Sequence, residues 1–189
     1  MAFPVNGRSP EVAKGWHERS ILSPPKVVLA DLGDPRADLA AERLQAEGLA
    51  VVVEPQVDVE DPEVSEAIAR ASAAGLDPAD PVVATAVLVA AGKADAGVAG
   101  ATRPTAEGVR AGLKVIGLPP EGSLLSSCFI LVLPDGQPIA YGDCGVVPDP
   151  NPEQLSAIAQ ATASTFERLT GDVARVALLY FSTKGSASH

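Results

Sequence analysis

The sequence predicts an α/β fold, and two observations support this prediction. The chain of 189 residues is 47% hydrophobic but only 4% aromatic, so its apolar mass consists of Ala, Val, Leu and Ile. Such side chains suit the close packing of helices against a sheet. From Lys26 onward, short apolar runs typical of buried strands alternate with segments of helical periodicity. We therefore expect helices packed on a largely parallel sheet.

The pattern begins with a strand, a helix and a second strand. Residues 27–30 predict a buried strand that runs into a turn at residues 31–35. Residues 36–47 have apolar positions at helical spacing, and Gly48 follows as a carboxy-terminal cap. Residues 49–53 predict a second strand, which a helical crossover places parallel to the first.

Three further elements complete the first half of the chain. Helices are predicted over residues 63–74 and 82–91, and the second is so rich in Ala and Val that it must be buried. Residues 96–99 predict a short strand, and residues 104–116 predict a helix. A strand followed by glycine and then a helix is a junction suited to binding a ligand.

The second half has a different character. Residues 124–133 and 138–144 predict an antiparallel hairpin. A helix over residues 152–169 is predicted to start at Asn151 as its cap, and residues 176–181 predict a last strand.

The Gly- and Pro-rich segment 117–122 predicts a boundary between domains. We predict a flexible amino-terminal arm at residues 1–25, a first α/β domain at 26–118 and a partial second α/β domain at 119–189. The arm mixes Pro, Gly, Ser and charged residues without periodicity.

Charge and hydropathy exclude several classes of partner. With 14 basic and 24 acidic residues the formal net charge is −10, which disfavours binding of nucleic acid. No apolar run approaches the roughly 20 residues that span a bilayer, and the amino terminus has no signal-like stretch. These observations predict a cytoplasmic protein without a membrane partner.

The cysteine and histidine residues predict neither a metal site nor a disulfide framework. Cys128 and Cys144 have no neighbouring histidine, and His17 and His189 lie in the terminal segments. We interpret the two cysteines as reduced thiols in predicted strands.

Four motifs follow one another in a characteristic order. Residues 95–110 read DAGVAGATRPTAEGVR, residues 126–145 form the hairpin ending in Asp-Cys-Gly, residues 152–158 begin a helix with Pro-Glu-Gln-Leu, and residues 176–187 read VALLYFSTKGSA. Together with the strand, turn and helix at residues 27–44, they resemble the phosphate acetyl- and butyryltransferase (phosphotransacetylase) family. In this family an apolar strand also runs into a Ser-Thr and Gly-Ser loop.

The resemblance implies reversible transfer of an acetyl or other short acyl group between phosphate and coenzyme A. A base would remove the thiol proton, the thiolate would attack the acyl phosphate carbonyl, and phosphate would leave. It also implies a three-layer α/β/α, two-domain fold and a homodimer, with coenzyme A and acetyl phosphate or another acyl phosphate as substrates, no bound cofactor and no metal. Relatives of this family continue beyond the matched part and carry the base there, so the resemblance implies an incomplete second domain and leaves the activity of the chain alone open.

The resemblance also identifies site residues. Arg110 falls on the family's arginine and is predicted to stabilise developing charge as a catalytic residue, with Arg103 as a weaker, substrate-binding candidate and Arg70 weaker still. Asp143 either orients a basic partner or, as we favour, caps a turn. The polar loop supplies hydroxyls, an ammonium and a glycine for an anion: Ser182, Thr183, Lys184, Gly185 and Ser186.

Two other functions compete with transfer. The chain could be a noncatalytic module that binds acyl-CoA or a phosphorylated metabolite, or that pairs with another polypeptide. A generic nucleotide-binding domain is disfavoured because the turn at residues 31–35 lacks a glycine fingerprint for pyrophosphate. Two positions depart from the family pattern, Gly108 and Gly142, and the acyl chain length stays open.

Overall fold

The computed structural model describes residues 11–120, 122 and 124–179. The chain forms two compact units, one comprising Gly15–Glu121 and the other comprising Met1–Lys14 with Gly122–His189. Parallel strands with helices in the first unit confirm the predicted α/β class. The boundary near residue 118 remains our proposal.

The first unit is built on a three-stranded parallel sheet. Its strands are β1 (Lys26–Leu29), β2 (Val51–Val53) and β3 (Ala96–Val98), in the order β2-β1-β3. The carboxyl ends of β1 and β3 therefore lie at the same edge. Helix α1 (Glu11–Leu22) begins among residues of the other unit and continues into this one. The further helices are α2 (Pro35–Ala46), α3 (Ser65–Ala73), α4 (Pro81–Ala90) and α5 (Thr105–Ala111), which continues as a π-helical turn, Gly112–Ile116.

Helix α4 forms the centre of the core, as its composition predicts. It begins where the Asp80 side chain accepts a hydrogen bond from the Val82 amide at 2.9 Å, and Pro81 occupies its first turn. All seven residues from Val82 to Leu88 are buried. Four of them pack with Ala67 and Ala71 of α3 and with Val115 of the π-helical turn, namely Val82, Val83, Ala86 and Val87.

Strand β3 passes very close to α4 at Gly97. A Cβ atom added at Gly97 would overlap the Thr85 methyl group, so only glycine lets the two elements approach this closely. We expect Gly97→Ala to lower the free energy of unfolding by about 1 to 3 kcal/mol, measured by urea denaturation. Gly112→Ala is the matched control, because a Cβ there meets no atom within 4 Å. A Gly97 variant as stable as the Gly112 variant would contradict this packing.

The second unit contains an antiparallel hairpin and one long helix. The hairpin pairs β4 (Cys128–Val132) with β5 (Pro138–Gly142), and the turn between them includes Gly136 at φ +92°. Helix α6 (Pro152–Thr170) starts with a capping box: Asn151 accepts from the Gln154 amide at 2.8 Å, and the Gln154 side chain accepts from the Asn151 amide at 3.0 Å. The hairpin, the helix and its cap agree with the prediction.

The two faces of the hairpin differ. At Gly142, an added Cβ would collide with the Thr162 side chain of α6, which explains why glycine suits this position in this chain. On strand β4, Phe129 and Leu131 are exposed, as is Tyr141 opposite Phe129 on β5. One face therefore packs on α6, and the other presents apolar side chains.

Three elements differ from the prediction. The strand predicted at residues 176–181 is wrong over residues 176–179, which form no regular structure, and residues 180–181 lie outside the described part. A strand needs a neighbouring ladder, and no described strand pairs with this segment, whose Leu179 is 84% exposed. The arm contains the unpredicted helix α1, and the helix predicted at 104–116 ends as a π-helical turn.

Candidate functional site

A cavity of about 300 Å³ lies beside the carboxyl end of β3 in the first unit. Helices α4 and α5, the π-helical turn and the loop after β3 line it, and it is open to solvent on one side. Its apolar lining includes Val82, Val89, Val109 and Ile116, and glycines contribute much of the remaining wall. The cavity coincides with the strand, glycine and helix junction that the sequence predicts to bind a ligand.

The loop bordering the cavity is fixed by Asp31, which follows β1 and is only 8% exposed. One carboxylate oxygen accepts hydrogen bonds from the amides of Gly100 and Ala101, both at 3.0 Å. The other oxygen accepts from the Thr102 amide at 3.0 Å and the Thr102 hydroxyl at 2.5 Å. The hydroxyl of Thr102 and then the loop amides lower the pKa of Asp31, against the opposing effect of burial.

Asp31 thus occupies the place that an external anion would take. Three consecutive amides pointing at one anion form a typical phosphate nest, but here an internal carboxylate already satisfies them. Sequence reasoning missed this positioning residue. The available signal was an acidic residue directly after a buried strand, at the edge where ligand loops gather. Arg36 supports the loop by donating to the Ala101 carbonyl at 2.8 Å.

The guanidinium of Arg103 stands at the rim of the cavity and is already paired. It donates to the Asp80 carboxylate at 3.0 Å and to the Glu107 carboxylate at 2.5 Å. The hydrogen bond to Glu107 and the charge of Asp80 raise the pKa of Arg103. The structure therefore brings this predicted residue to the cavity, with two of its donors turned to carboxylates.

Arg110 is placed differently from Arg103. Its side chain is exposed on α5, does not line the cavity, and has no ion pair within the described part of the chain. Arg70, the weakest candidate, lies 3.6 Å from Glu66 on α3. The predicted phosphate loop lies outside the described residues: Ser182, Thr183, Lys184, Gly185 and Ser186.

Asp143, in the second unit, has the contacts of a turn cap. One oxygen accepts from the Ser127 amide and hydroxyl, both at 2.6 Å. The other accepts from the amides of Val146 at 2.8 Å and Val147 at 2.6 Å. Burial opposes ionisation, but the bonds from Ser127 and the turn amides outweigh it and hold the pKa of Asp143 well below its usual range. These contacts agree with the structural role that we favoured.

The cysteines are both free thiols. Burial raises the pKa of the Cys128 thiol, and the Cys144 thiol donates to the Tyr141 carbonyl at 3.1 Å. Within residues 11–120, 122 and 124–179, no three His, Cys, Asp or Glu side chains are grouped to hold a metal ion. No helix in the same ranges is long and apolar enough to cross a membrane.

Comparisons with known proteins give a consistent result. The family model described as Phosphate acetyl/butaryl transferase matches residues 64–189. A phosphate acetyltransferase of Paracoccus denitrificans is 35% identical over 92% of this chain and 63% of its own length. One of Acetivibrio thermocellus is 38% identical over 57% of this chain and 34% of its own length.

Solved structures show the same fold. A phosphotransacetylase from Streptococcus pyogenes superposes with a TM-score of 0.77 at 23% identity, covering 95% of this chain and 64% of that one. The EutD phosphotransacetylase from Staphylococcus aureus gives 0.77 at 24% identity, covering 95% and 63%. The chain thus spans less than two thirds of the length of the relatives it matches.

Proposed function

Since this chain belongs to the phosphate acetyl/butaryl transferase family, we propose that it acts in acyl transfer between phosphate and coenzyme A. The observation that carries the proposal is the family match over residues 64–189, which includes β3, α5 and the predicted phosphate loop. The substrates we propose are coenzyme A and acetyl phosphate or another short acyl phosphate.

The reaction makes defined demands on the protein. The coenzyme A thiol loses its proton to a base, its sulfur forms a bond to the acyl carbon, and the bond from that carbon to the phosphate oxygen breaks. Negative charge grows on the carbonyl oxygen during attack and on phosphate as it leaves, so a cation held nearby lowers the barrier. We assign no described residue as the base.

Arg110 is our candidate for this cation. Its guanidinium is exposed and has no carboxylate partner in the described ranges, so its donors are free for a phosphate or carbonyl oxygen. Arg103 is the weaker candidate, because its charge is already paired with Asp80 and Glu107, which take up two of its donors. The loop Ser182–Ser186 would hold the phosphate, and the assembly we propose is a cytoplasmic homodimer.

The test is an assay of acetyl transfer from acetyl phosphate to coenzyme A by the purified chain. We expect Arg110→Ala to lower kcat/KM about 100-fold, the usual loss on removing one charge-stabilising donor. Lys114→Ala is the matched control, because Lys114 is an exposed cation one turn further along and should leave the rate unchanged. Equal rates for both variants would remove Arg110 from the mechanism.

The second candidate function is a noncatalytic module, and the exposed apolar side chains of Phe129, Leu131 and Tyr141 on the hairpin favour its pairing with another polypeptide. Under this alternative the chain binds acyl-CoA or a phosphorylated metabolite, or pairs with another polypeptide. Coenzyme A binding without turnover in the assay would support it. Turnover by the isolated chain would exclude it.

A further inference from the structure

We propose that the cavity beside β3 takes the uncharged aliphatic chain of an acyl substrate and excludes its phosphate group. The inference rests on the proposed function for the identity of the substrate. Three observations lead to it: several hydrogen-bond donors around the cavity already have partners, the charge at its rim is unfavourable to an anion, and its walls are largely apolar with space beside glycine.

Several donors around the cavity have internal partners. The amides of Gly100, Ala101 and Thr102 donate to Asp31. The hydroxyl of Thr85, in the cavity wall, donates to the Pro81 carbonyl at 2.8 Å. A phosphate entering here would lose hydrogen bonds to water and find these donors occupied, which is a large cost for a charged group.

The charge at the rim also disfavours an anion. The single guanidinium of Arg103 contacts two carboxylates, Asp80 and Glu107, so the three side chains together carry a net charge of about −1. An approaching phosphate meets this excess negative charge. A neutral aliphatic group is not repelled by this charge.

The walls provide both apolar surface and space. Val82, Val89 and Ile116 line the cavity, and none carries a polar side-chain atom. A Cβ added at Gly108 would come no nearer than 4.0 Å to the Ala99 Cβ, and one at Gly112 meets nothing within 4 Å. The glycines therefore leave open volume that an aliphatic chain can fill.

The test measures binding of neutral amides of increasing length, namely acetamide, propionamide and butyramide, with inorganic phosphate as the charged probe. Binding is read from the methyl resonances of Val89 and Ile116. We expect affinity to rise about fourfold per added methylene, the gain from burying one such group. Phosphate should leave these resonances unchanged.

Gly108→Leu fills the cavity and should weaken butyramide binding at least tenfold. The protein should still fold, because leucine is a better helix former than glycine and the added Cβ has room. Ala106→Leu, on an exposed position of the same helix that does not line the cavity, is the matched control and should bind butyramide as the unmodified chain does.

Three results would overturn the inference: equal affinity for all three amides, saturable phosphate shifts at Val89 and Ile116, or unchanged butyramide binding in a folded Gly108→Leu protein. The inference and the proposed function fail separately. If the chain transfers acyl groups but its affinity does not rise with amide length, only the inference is wrong. If affinity rises with amide length but no acyl transfer is detected, the cavity still takes an uncharged aliphatic ligand, and the result counts against the transfer activity of the chain.

Discussion

Replacing Asp31 by alanine is expected to lower the free energy of unfolding by about 3 kcal/mol. The buried carboxylate accepts hydrogen bonds from the amides of Gly100, Ala101 and Thr102 and from the Thr102 hydroxyl. Without it, several donors beside the sheet lose their common partner. Because the bonds join β1 to the loop after β3, the loss should loosen the wall of the cavity as well as the sheet edge.

Urea denaturation followed by circular dichroism measures this effect. Asp58→Ala is the matched control, since the Asp58 side chain accepts a hydrogen bond from the amide of Glu60 at 3.0 Å in an exposed turn, and its removal should cause little change. Equal urea midpoints for the two variants would show that the hydrogen bonds of Asp31 contribute no more to stability than the side-chain hydrogen bond of an exposed turn.

The acid dependence of stability gives a second readout of the same group. The pKa of Asp31 is lower in the folded chain than its ordinary value, so the unfolded chain binds more protons in the pH range between the two values. Its stabilisation is therefore complete above the unfolded pKa of about 3.9 and is lost as pH falls through the folded pKa. Asp31→Asn should flatten this loss of stability below about pH 4.

The second large effect is expected at Asp143. Asp143→Ala should cost about 3 kcal/mol, because one carboxylate satisfies Ser127 through its amide and hydroxyl and also the amides of Val146 and Val147. The bonds tie the segment before β4 to the turn after β5. The hairpin should therefore open more readily, which hydrogen exchange at the amides of β4 and β5 would detect.

Asp135→Ala is the control for Asp143. The Asp135 side chain also follows a strand of the hairpin but accepts from the Gln137 amide alone, at 3.0 Å in the exposed turn. We expect little change from it. If the Asp143 variant retained the exchange protection of the control, the carboxylate would not be what holds the two ends of the hairpin together.

Elements with local signals were predictable from the sequence. Helix α4 begins at Asp80-Pro81 and α6 at Asn151-Pro152, where a capping side chain and a first-turn proline specify the start without reference to the rest of the chain. The hairpin turn likewise contains Gly136 at positive φ. In these places the sequence within one or two turns of the boundary determines the structure.

Features that depend on distant partners were not predictable. From the sequence, Asp31 is recognisable only as part of a turn, because the loop that donates hydrogen bonds to it lies about 70 residues later. Residues 176–179 have the composition of a strand but no paired neighbour in the described ranges. Helix α1 buries none of its residues, so it lacks the apolar stripe by which a helix is recognised.

The central position of β1 has a consequence for the order of folding. Its pairing with β2 closes a segment of about 25 residues, whereas its pairing with β3 spans about 69. Closing the longer segment costs only about 1 kcal/mol more in chain entropy, but it cannot happen until α3 and α4 have been synthesised. While the first unit is being synthesised, β1 therefore has one unpaired edge until β3 emerges, and we expect the packing of Leu88 of α4 against Val28 to help bring β3 to that edge.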